Sequence, residues 1–320
     1  MSQHKQGMLA VVSRMKGKTL KDVIGTEERS LYKLITLIAE LSAQVREMIP
    51  RELGFAGGIN PYGEKQLQID VWSNDLFTKK LLRSGLVKRI ASEEMEEVAE
   101  SKAGEYSIVL DPLDGSSNLK SNNLLGTIVG VYREKPLPAR GRDLHAAMYF
   151  LYGPFHQLVL ALQDGVRTFA ALGRGSEGTR FMSDGLIRQL PKPPTVYGIG
   201  GLREKWTPKV REFVGSLEKR KLSLRYGGSF VGDYNQVLTR GGFFAYPELT
   251  DAPEGKYRLQ FESNPVGFIT EKAGGQASTG TGKILDVEPT SIVQRVPTYL
   301  GDPDLVQEFQ STYKSKGQTV

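Results

Sequence analysis

The stretch Ser107-Ile108-Val109-Leu110-Asp111-Pro112-Leu113-Asp114-Gly115-Ser116-Ser117-Asn118-Leu119 holds two carboxylates, a proline and a Gly-Ser-Ser turn. Ile108, Val109 and Leu110 form a short apolar run that reads as a buried strand. Pro112, which has no N–H to give a sheet, is expected to end it in a turn. Asp111 and Asp114 then leave the strand end together, where hard carboxylate oxygens can share a divalent cation such as Mg²⁺. Gly115-Ser116-Ser117 follows with backbone N–H groups and hydroxyls able to cradle a phosphate beside that cation. The same residues also make an ordinary capped turn, since Asp, Pro, Gly and Ser all favour turns.

At 320 residues the chain is long enough for two ordinary domains around a sizeable core. Its apolar, charged and aromatic shares of 39%, 24% and 9% are those of a soluble globular protein. No run of about 18 apolar residues occurs, so neither a transmembrane helix nor a membrane partner is expected. Met1–Leu20 lacks the apolar centre of a signal peptide. The absence of cysteine excludes disulfides, thiol catalysis and cysteine–zinc sites. A cytoplasmic location suits such a chain, although lack of cysteine is compatible with any compartment. The net charge of +6 is spread, without the clustered Lys/Arg and interleaved aromatics that nucleic acid requires; a small anionic substrate accounts for it at least as well.

Outward from the central stretch, Glu27–Ile49 reads as an amphipathic helix, with Leu31, Leu34, Ile35, Ile38, Leu41, Val45 and Ile49 at helical spacing and Pro50 as its stop. Gly54–Gly63 reads as a Gly/Pro-rich loop, Gln66–Val71 as a strand or bend, and Asn74–Ser84 as a helix capped by Ser73 and closed by Gly85. Strand-like runs follow at Val87–Ala91, Tyr106–Leu110, Thr127–Tyr132, His145–Leu151, Gln157–Leu162 and Val166–Leu172, the last two joined by a Gln163-Asp164-Gly165 hairpin turn. They imply one large mixed sheet flanked by helices. Pro191-Lys192-Pro193-Pro194 reads as a linker, which divides the chain into domains 1–193 and 194–320. Beyond it, strands are expected near Thr195–Ile199, Leu222–Tyr226 and Phe243–Tyr246, with helices over Lys209–Arg220, Val231–Arg240, Asn264–Ala273 and Asp304–Tyr313. The pattern is that of a layered α/β protein.

Further acids stand where burial would be costly without a cation: Glu93 and Glu94 after the apolar run Ile90-Ala91, Glu64 and Asp70 upstream, and Glu262 far downstream. Taken singly, Glu93–Glu100 also reads as a solvated helix start and Glu262 as a helix cap.

Together, Asp111–Ser117, Ser92-Glu93-Glu94, Glu262-Ser263-Asn264-Pro265 and Glu271-Lys272-Ala273-Gly274-Gly275 resemble the class I fructose-1,6-bisphosphatases, within the Mg²⁺-dependent, lithium-sensitive sugar phosphatases. The resemblance runs from about the first helix to Leu305. It implies a five-layer alternating α/β/α/β/α fold with two sheets. It also implies hydrolysis of the 1-phosphate of fructose 1,6-bisphosphate, as in gluconeogenesis, with two or more Mg²⁺ per subunit in a homotetramer. By the same resemblance Glu93, Asp111, Asp114, Glu262 and the Leu113 carbonyl are metal ligands, and Asp70 and Glu94 activate water. Glu64 lies on a catalytic loop that closes over the metals. The backbone from Asp114 through Gly115, Ser116 and Ser117, with Arg258, holds the scissile phosphate. Tyr226, Tyr246 and Lys256 bind the other phosphate, while Arg225 reaches across a dimer interface into the neighbouring site. Without the resemblance, the two tyrosines read as core or rim aromatics and Arg225 as a strand-edge residue.

Three departures bear on function. The family usually has Asp where Glu64 stands. Tyr197-Gly198-Ile199-Gly200-Gly201 lacks the family's phosphate-binding Asn and, with Asn235-Gln236, leans toward sedoheptulose-1,7-bisphosphatases, whereas Gly232-Asp233 and Gln294-Arg295-Val296-Pro297 favour the fructose enzymes. In AMP-inhibited relatives the nucleotide phosphate sits between the turn before the first long helix and a Lys-Tyr pair. Here that pair is Glu105-Tyr106 and the turn contains Glu27 and Glu28, so weak or absent AMP inhibition is expected. A catalytically dead sugar-phosphate-binding module is the remaining alternative, although every expected acidic position carries an acid.

Overall fold

The structure, a computed structural model, describes residues 17–25, 27–51, 55–59, 65–175 and 178–314. Strand β1 (Lys18–Thr19) and helix α1 (Leu20–Ile24) lead into the long helix α2 (Arg29–Met48). A ribbon of β2 (Phe55–Ile59) and β3 (Lys65–Leu67) precedes helix α3 (Gln68–Arg83). Then come β4 (Val87–Ser92), β5 (Ala99–Glu100), β6 (Tyr106–Asp114), β7 (Leu125–Arg133), β8 (Leu144–Tyr152), β9 (His156–Leu162), β10 (Gly165–Gly175) and β11 (Gly178–Ser183). With β1 they form a nine-stranded sheet in the order β1-β11-β10-β9-β8-β7-β6-β4-β5. The rest of the chain supplies β12 (Val196–Ile199), α4 (Pro208–Lys219), β13 (Ser223–Leu224), α5 (Phe230–Arg240), β14 (Gly242–Tyr246), α6 (Asn264–Lys272), β15 (Gln276–Ser278), β16 (Thr298–Gly301) and α7 (Pro303–Lys314). Its five-stranded sheet has the order β13-β12-β14-β16-β15.

Because strand side chains alternate between faces, each sheet feeds two cores. Leu34, Ile35 and Ile38 of α2 pack with Ile108, Leu110, Val129 and Phe150 on one face of the large sheet. On its other face Val109, Ile128 and Tyr149 meet α5 and α6 through Val231, Tyr234, Val266 and Ile269, and beyond them Phe244 and Leu300 of the small sheet. The outer face of the small sheet, with Tyr197, Phe243 and Tyr299, is covered by Phe213 of α4 and Phe309 of α7. Helix and sheet therefore alternate through five layers. Each fully buried Leu or Ile on the α2 stripe is worth about 1.5–3 kcal/mol, which is why that helix was legible from spacing alone.

Several sequence expectations need correction. The helix expected at Asn74–Ser84 begins at Gln68, and Ser73 lies buried inside it. Its start is set by Asp70, whose carboxylate accepts from the Leu67 N–H at 2.9 Å, an acid three residues in reaching back to the cap amide. The expected strand or bend at Gln66–Val71 is thus the end of β3 and the first turn of α3, and part of the expected loop Gly54–Gly63 is β2. Pro112 does not end its strand. β6 continues to Asp114 through a bulge, Asp111 pairing with Ile128 and Asp114 with Gly126, so that three steps on one strand match two on the other. Proline is tolerated there because the bulged residue owes no N–H to the ladder. No helix starts at Glu93–Glu100; its end is the edge strand β5. The expected strand Leu222–Tyr226 shrinks to Ser223–Leu224.

Candidate active site

Strands β4 and β6 lie side by side and parallel, with Ser92 opposite Leu110, and the Glu93 N–H donates to the Leu110 carbonyl at 2.9 Å. Glu93 therefore emerges beside Asp111. A third acid arrives from the other half of the chain, on a wide turn into α6 in which the Ser263 N–H reaches back five residues to the Arg258 carbonyl. Wide turns of this kind cluster at functional sites. The Arg258 N–H donates to Glu262 Oε2 at 2.6 Å, aiming that carboxylate. The result is convergence: one carboxylate oxygen each from Glu93, Asp111 and Glu262 lies within 4.8 Å of the others.

These acids are in a difficult electrostatic position. Burial, followed by the charges of Glu93 and Asp114, pushes the Asp111 carboxyl well up. Burial and Glu93 push Glu262 up to about 8, with Arg258 opposing. The guanidinium of Arg258 is paired with Glu93 and is itself buried. One cation does not balance three carboxylates, and hard oxygen donors at this spacing fit a hard divalent metal. Asp114 lines the same cavity but is engaged differently. Its oxygens accept from Ser229 Oγ at 2.6 Å and from the Phe230 and Val231 N–H groups at 3.1 and 2.9 Å, the open amides at the start of α5.

Asp70 is buried, and its carboxyl is pushed up to about 7 by burial, with Glu94 and Glu93 adding to the rise and the Leu67 N–H opposing it. The Ser116 hydroxyl is a further hydrogen-bond partner, which ties Asp70 to the Gly-Ser-Ser turn. Glu94 and Leu113 line a cavity of about 460 Å³, with Ser116 and Ser117 on its wall. Gly115 holds a left-handed φ of +75°, and a Cβ there would fall 2.6 Å from Ser229 Cβ, so the turn requires glycine on two counts. Glu64 lies outside the described residues.

At the far side of the cavity Tyr226 and Lys256 are wall residues. Tyr246 stands behind them, with the Lys256 ammonium 5.5 Å from its ring centroid. Its ring lies against Gly200, where an added Cβ would fall 2.3 Å from the ring and 3.0 Å from the Tyr226 hydroxyl. Tyr226, Tyr246 and Lys256 are thus brought together. Arg225 is exposed, and its guanidinium donates to the Leu224 carbonyl. Asn235, read as a pointer to the longer sugar, instead accepts from the Tyr149 hydroxyl at 2.8 Å, toward the large sheet.

Sequence reasoning passed over Lys120, Ser229 and Tyr257. Lys120 adds a cation to the cavity wall from the turn that follows Ser117. Its position three residues past a phosphate-cradle serine was the available signal. Ser229 caps α5 and holds Asp114, and Tyr257 stacks on Phe230 at 4.2 Å. Their roles come from contacts between distant segments, and nothing local announces them.

Buried carboxylates able to hold metal, set beside a glycine-serine turn and cavity lysines in a layered α/β frame, define a phosphatase. Family models described as "Fructose-1-6-bisphosphatase, N-terminal domain" and "Fructose-1-6-bisphosphatase, C-terminal domain" match residues 17–177 and 190–314. The chain belongs to the fructose-1,6-bisphosphatase family. A fructose-1,6-bisphosphatase class 1 of Natronomonas pharaonis is 43% identical over 280 residues, covering 87% of this chain and 96% of the relative. A protein of the same name from Pelobacter propionicus is 45% identical over 294 residues, covering 88% and 89%. The holo-form crystal structure of Leishmania major fructose-1,6-bisphosphatase matches with a TM-score of 0.85 at 31% identity, over 94% of this chain and 100% of that one.

Proposed function

We propose that this chain hydrolyses the 1-phosphate of fructose 1,6-bisphosphate, giving fructose 6-phosphate and inorganic phosphate. The observation that carries this reading is the convergence of Glu93, Asp111 and Glu262 beside the Gly115–Ser117 turn, with Tyr226 and Lys256 on the wall of the same cavity and Tyr246 behind them. Glu93, Asp111, Glu262 and the Leu113 carbonyl would hold Mg²⁺, two or more ions per subunit, and Asp114 would contribute a lone pair left over from its three hydrogen bonds. Bound there, the cations would neutralise the phosphoryl oxygens and the departing alkoxide. The N–H groups of Gly115, Ser116 and Ser117 and the Arg258 guanidinium orient the 1-phosphate. Asp70, with Glu94, takes a proton from the water that attacks phosphorus in line, and the sugar oxygen leaves opposite it. Tyr226, Tyr246 and Lys256 hold the second phosphate, and Arg225 acts from a neighbouring subunit of a homotetramer in the cytoplasm. Residues 1–193 carry most of the metal centre and 194–320 most of the sugar-phosphate site.

The second reading is sedoheptulose 1,7-bisphosphate, toward which the sequence of residues 197–201 leans; at Gly200 the Tyr246 ring stands where a polar side chain would otherwise reach the distal phosphate site. A phosphate-release assay on both bisphosphates, with and without Mg²⁺, tests both readings. The expected result is Mg²⁺-dependent release from the fructose substrate. Binding without turnover would make the protein a sugar-phosphate-binding module.

A further inference from the structure

One peptide unit in the β6 bulge is gripped at both ends. The N–H of Leu113 donates to Asp111 Oδ1 at 3.0 Å, while the carbonyl of the same unit, that of Pro112, accepts from Thr127 Oγ1 at 2.8 Å. Thr127 Oγ1 also lies 2.7 Å from the Tyr152 hydroxyl. A threonine hydroxyl has one proton, and here it goes to the Pro112 carbonyl, so the Tyr152 hydroxyl is the donor to Thr127. Both side chains are buried on neighbouring strands, β7 and β8, of the large sheet. The chain of donation runs one way, from Tyr152 to Thr127 to the Pro112–Leu113 peptide and on to Asp111. Aligned hydrogen bonds in a buried setting polarise one another, and a peptide held at its carbonyl is fixed in plane, which fixes the direction of its N–H.

We propose that Thr127 and Tyr152 are positioning residues for the metal centre, setting the orientation of the Asp111 carboxylate and thereby its affinity for a divalent cation. The inference rests on reading Glu93, Asp111 and Glu262 as a metal site. With one Asp111 oxygen occupied by the Leu113 N–H, the carboxylate is held so that it meets Glu93 and Glu262. Neither residue lines the cavity. Thr127→Val keeps the shape and removes the hydroxyl, leaving the Pro112 carbonyl without its donor and the peptide free to tilt. Tyr152→Phe leaves that donor in place and removes only the first link, the one farthest from Asp111.

The test is Mn²⁺ binding to the unliganded full-length protein, followed by calorimetry and by the electron paramagnetic resonance of free Mn²⁺, alongside circular dichroism. Thr127→Val is expected to weaken Mn²⁺ binding by about 10–100-fold, the usual cost of losing a group that orients a ligand. Tyr152→Phe should weaken it less and in the same direction, and Thr127→Ser should restore the original affinity. The KM for the bisphosphate at saturating Mg²⁺ should stay within about 2-fold, since the distal phosphate contacts are intact. Unchanged Mn²⁺ affinity in Tyr152→Phe and Thr127→Val would overturn the inference, as would Thr127→Ser binding as poorly as Thr127→Val. Should Thr127→Val not fold, Tyr152→Phe alone decides: unchanged affinity overturns the proposal and weakened affinity supports it. Failure of the unsubstituted protein to bind Mn²⁺ would instead overturn the metal-site reading itself.

Discussion

Asp70 combines three properties of a catalytic base: burial, a carboxyl raised to about 7, and a place beside Glu93 and Glu94. The direction of the shift matters. A base must be deprotonated to act, so turnover should rise with pH as Asp70 ionises, and a cation loaded among the neighbouring acids would move that rise below pH 7 by favouring the carboxylate. Asp70→Asn should fold, bind Mn²⁺ as before and lose about 10²-fold or more in kcat. Its residual activity should also lack the acid limb of the pH profile. A steady-state pH series on both proteins checks this, and near-normal turnover would make Asp70 merely the group that caps α3. The acid was singled out by its type and the family pattern, whereas the helix that holds it was placed too late in the chain. The cap comes from Asp70 itself and the amide of Leu67, a signature easily overlooked when a better capping residue, Ser73, stands a turn later.

The first long helix meets the large sheet through charges as well as through its apolar stripe. Arg133 on β7 lies 3.1 Å from Glu105 and 3.9 Å from Glu28 just before α2, and the Tyr106 hydroxyl is 2.9 Å from Ser30 Oγ. The Ser30 hydrogen bond, together with Arg133, holds the Glu105 carboxyl below the ordinary range. By the family resemblance an AMP phosphate would be received here, where Arg133 already faces Glu105 and Glu28, while Lys21, Arg29 and Lys33 line a cavity at the start of α2. A dianion placed against Glu105 and Glu28 would meet like charge; at about 4 Å and an effective dielectric near 20, each like-charge pair costs roughly 4 kcal/mol before screening. Exposure and salt reduce that figure without reversing its sign. AMP should therefore inhibit weakly, and a titration with half-inhibition at micromolar AMP would refute this. Glu105→Lys should move the sensitivity toward tighter binding. Inhibition by thiol oxidation is excluded by the absence of cysteine.

Across the whole molecule, residues 223–228 form a continuous exposed run from the edge strand β13 to the cavity, including Leu224, Arg225 and Tyr226. An edge strand presents unpaired backbone groups, and Leu224 adds exposed apolar surface, a combination that favours contact with a second copy. If Arg225 completes a neighbouring site, dilution below the dissociation constant of the oligomer should raise the KM for the bisphosphate. Arg225→Ala should do the same at any concentration. Sedimentation velocity at assay concentration, run beside the kinetics, checks both; a fully active monomer would refute the idea.

Local chemistry in the chain determined the acid-rich segment Asp111–Asp114, the glycine turn after it, the α2 stripe and most strands of the large sheet. Each depends on the spacing of neighbouring residues and on what proline, glycine and aspartate permit. Tertiary structure alone decided the bulge that carries β6 past Pro112, the capture of Asp114 by the first amides of α5, and the line from Tyr152 through Thr127 to Asp111. The same is true of Glu262 meeting Glu93 and Asp111. The reason is physical: sheet register and helix packing bring together groups far apart in the sequence, and a carboxylate becomes a candidate ligand only when its neighbours in space are other buried carboxylates.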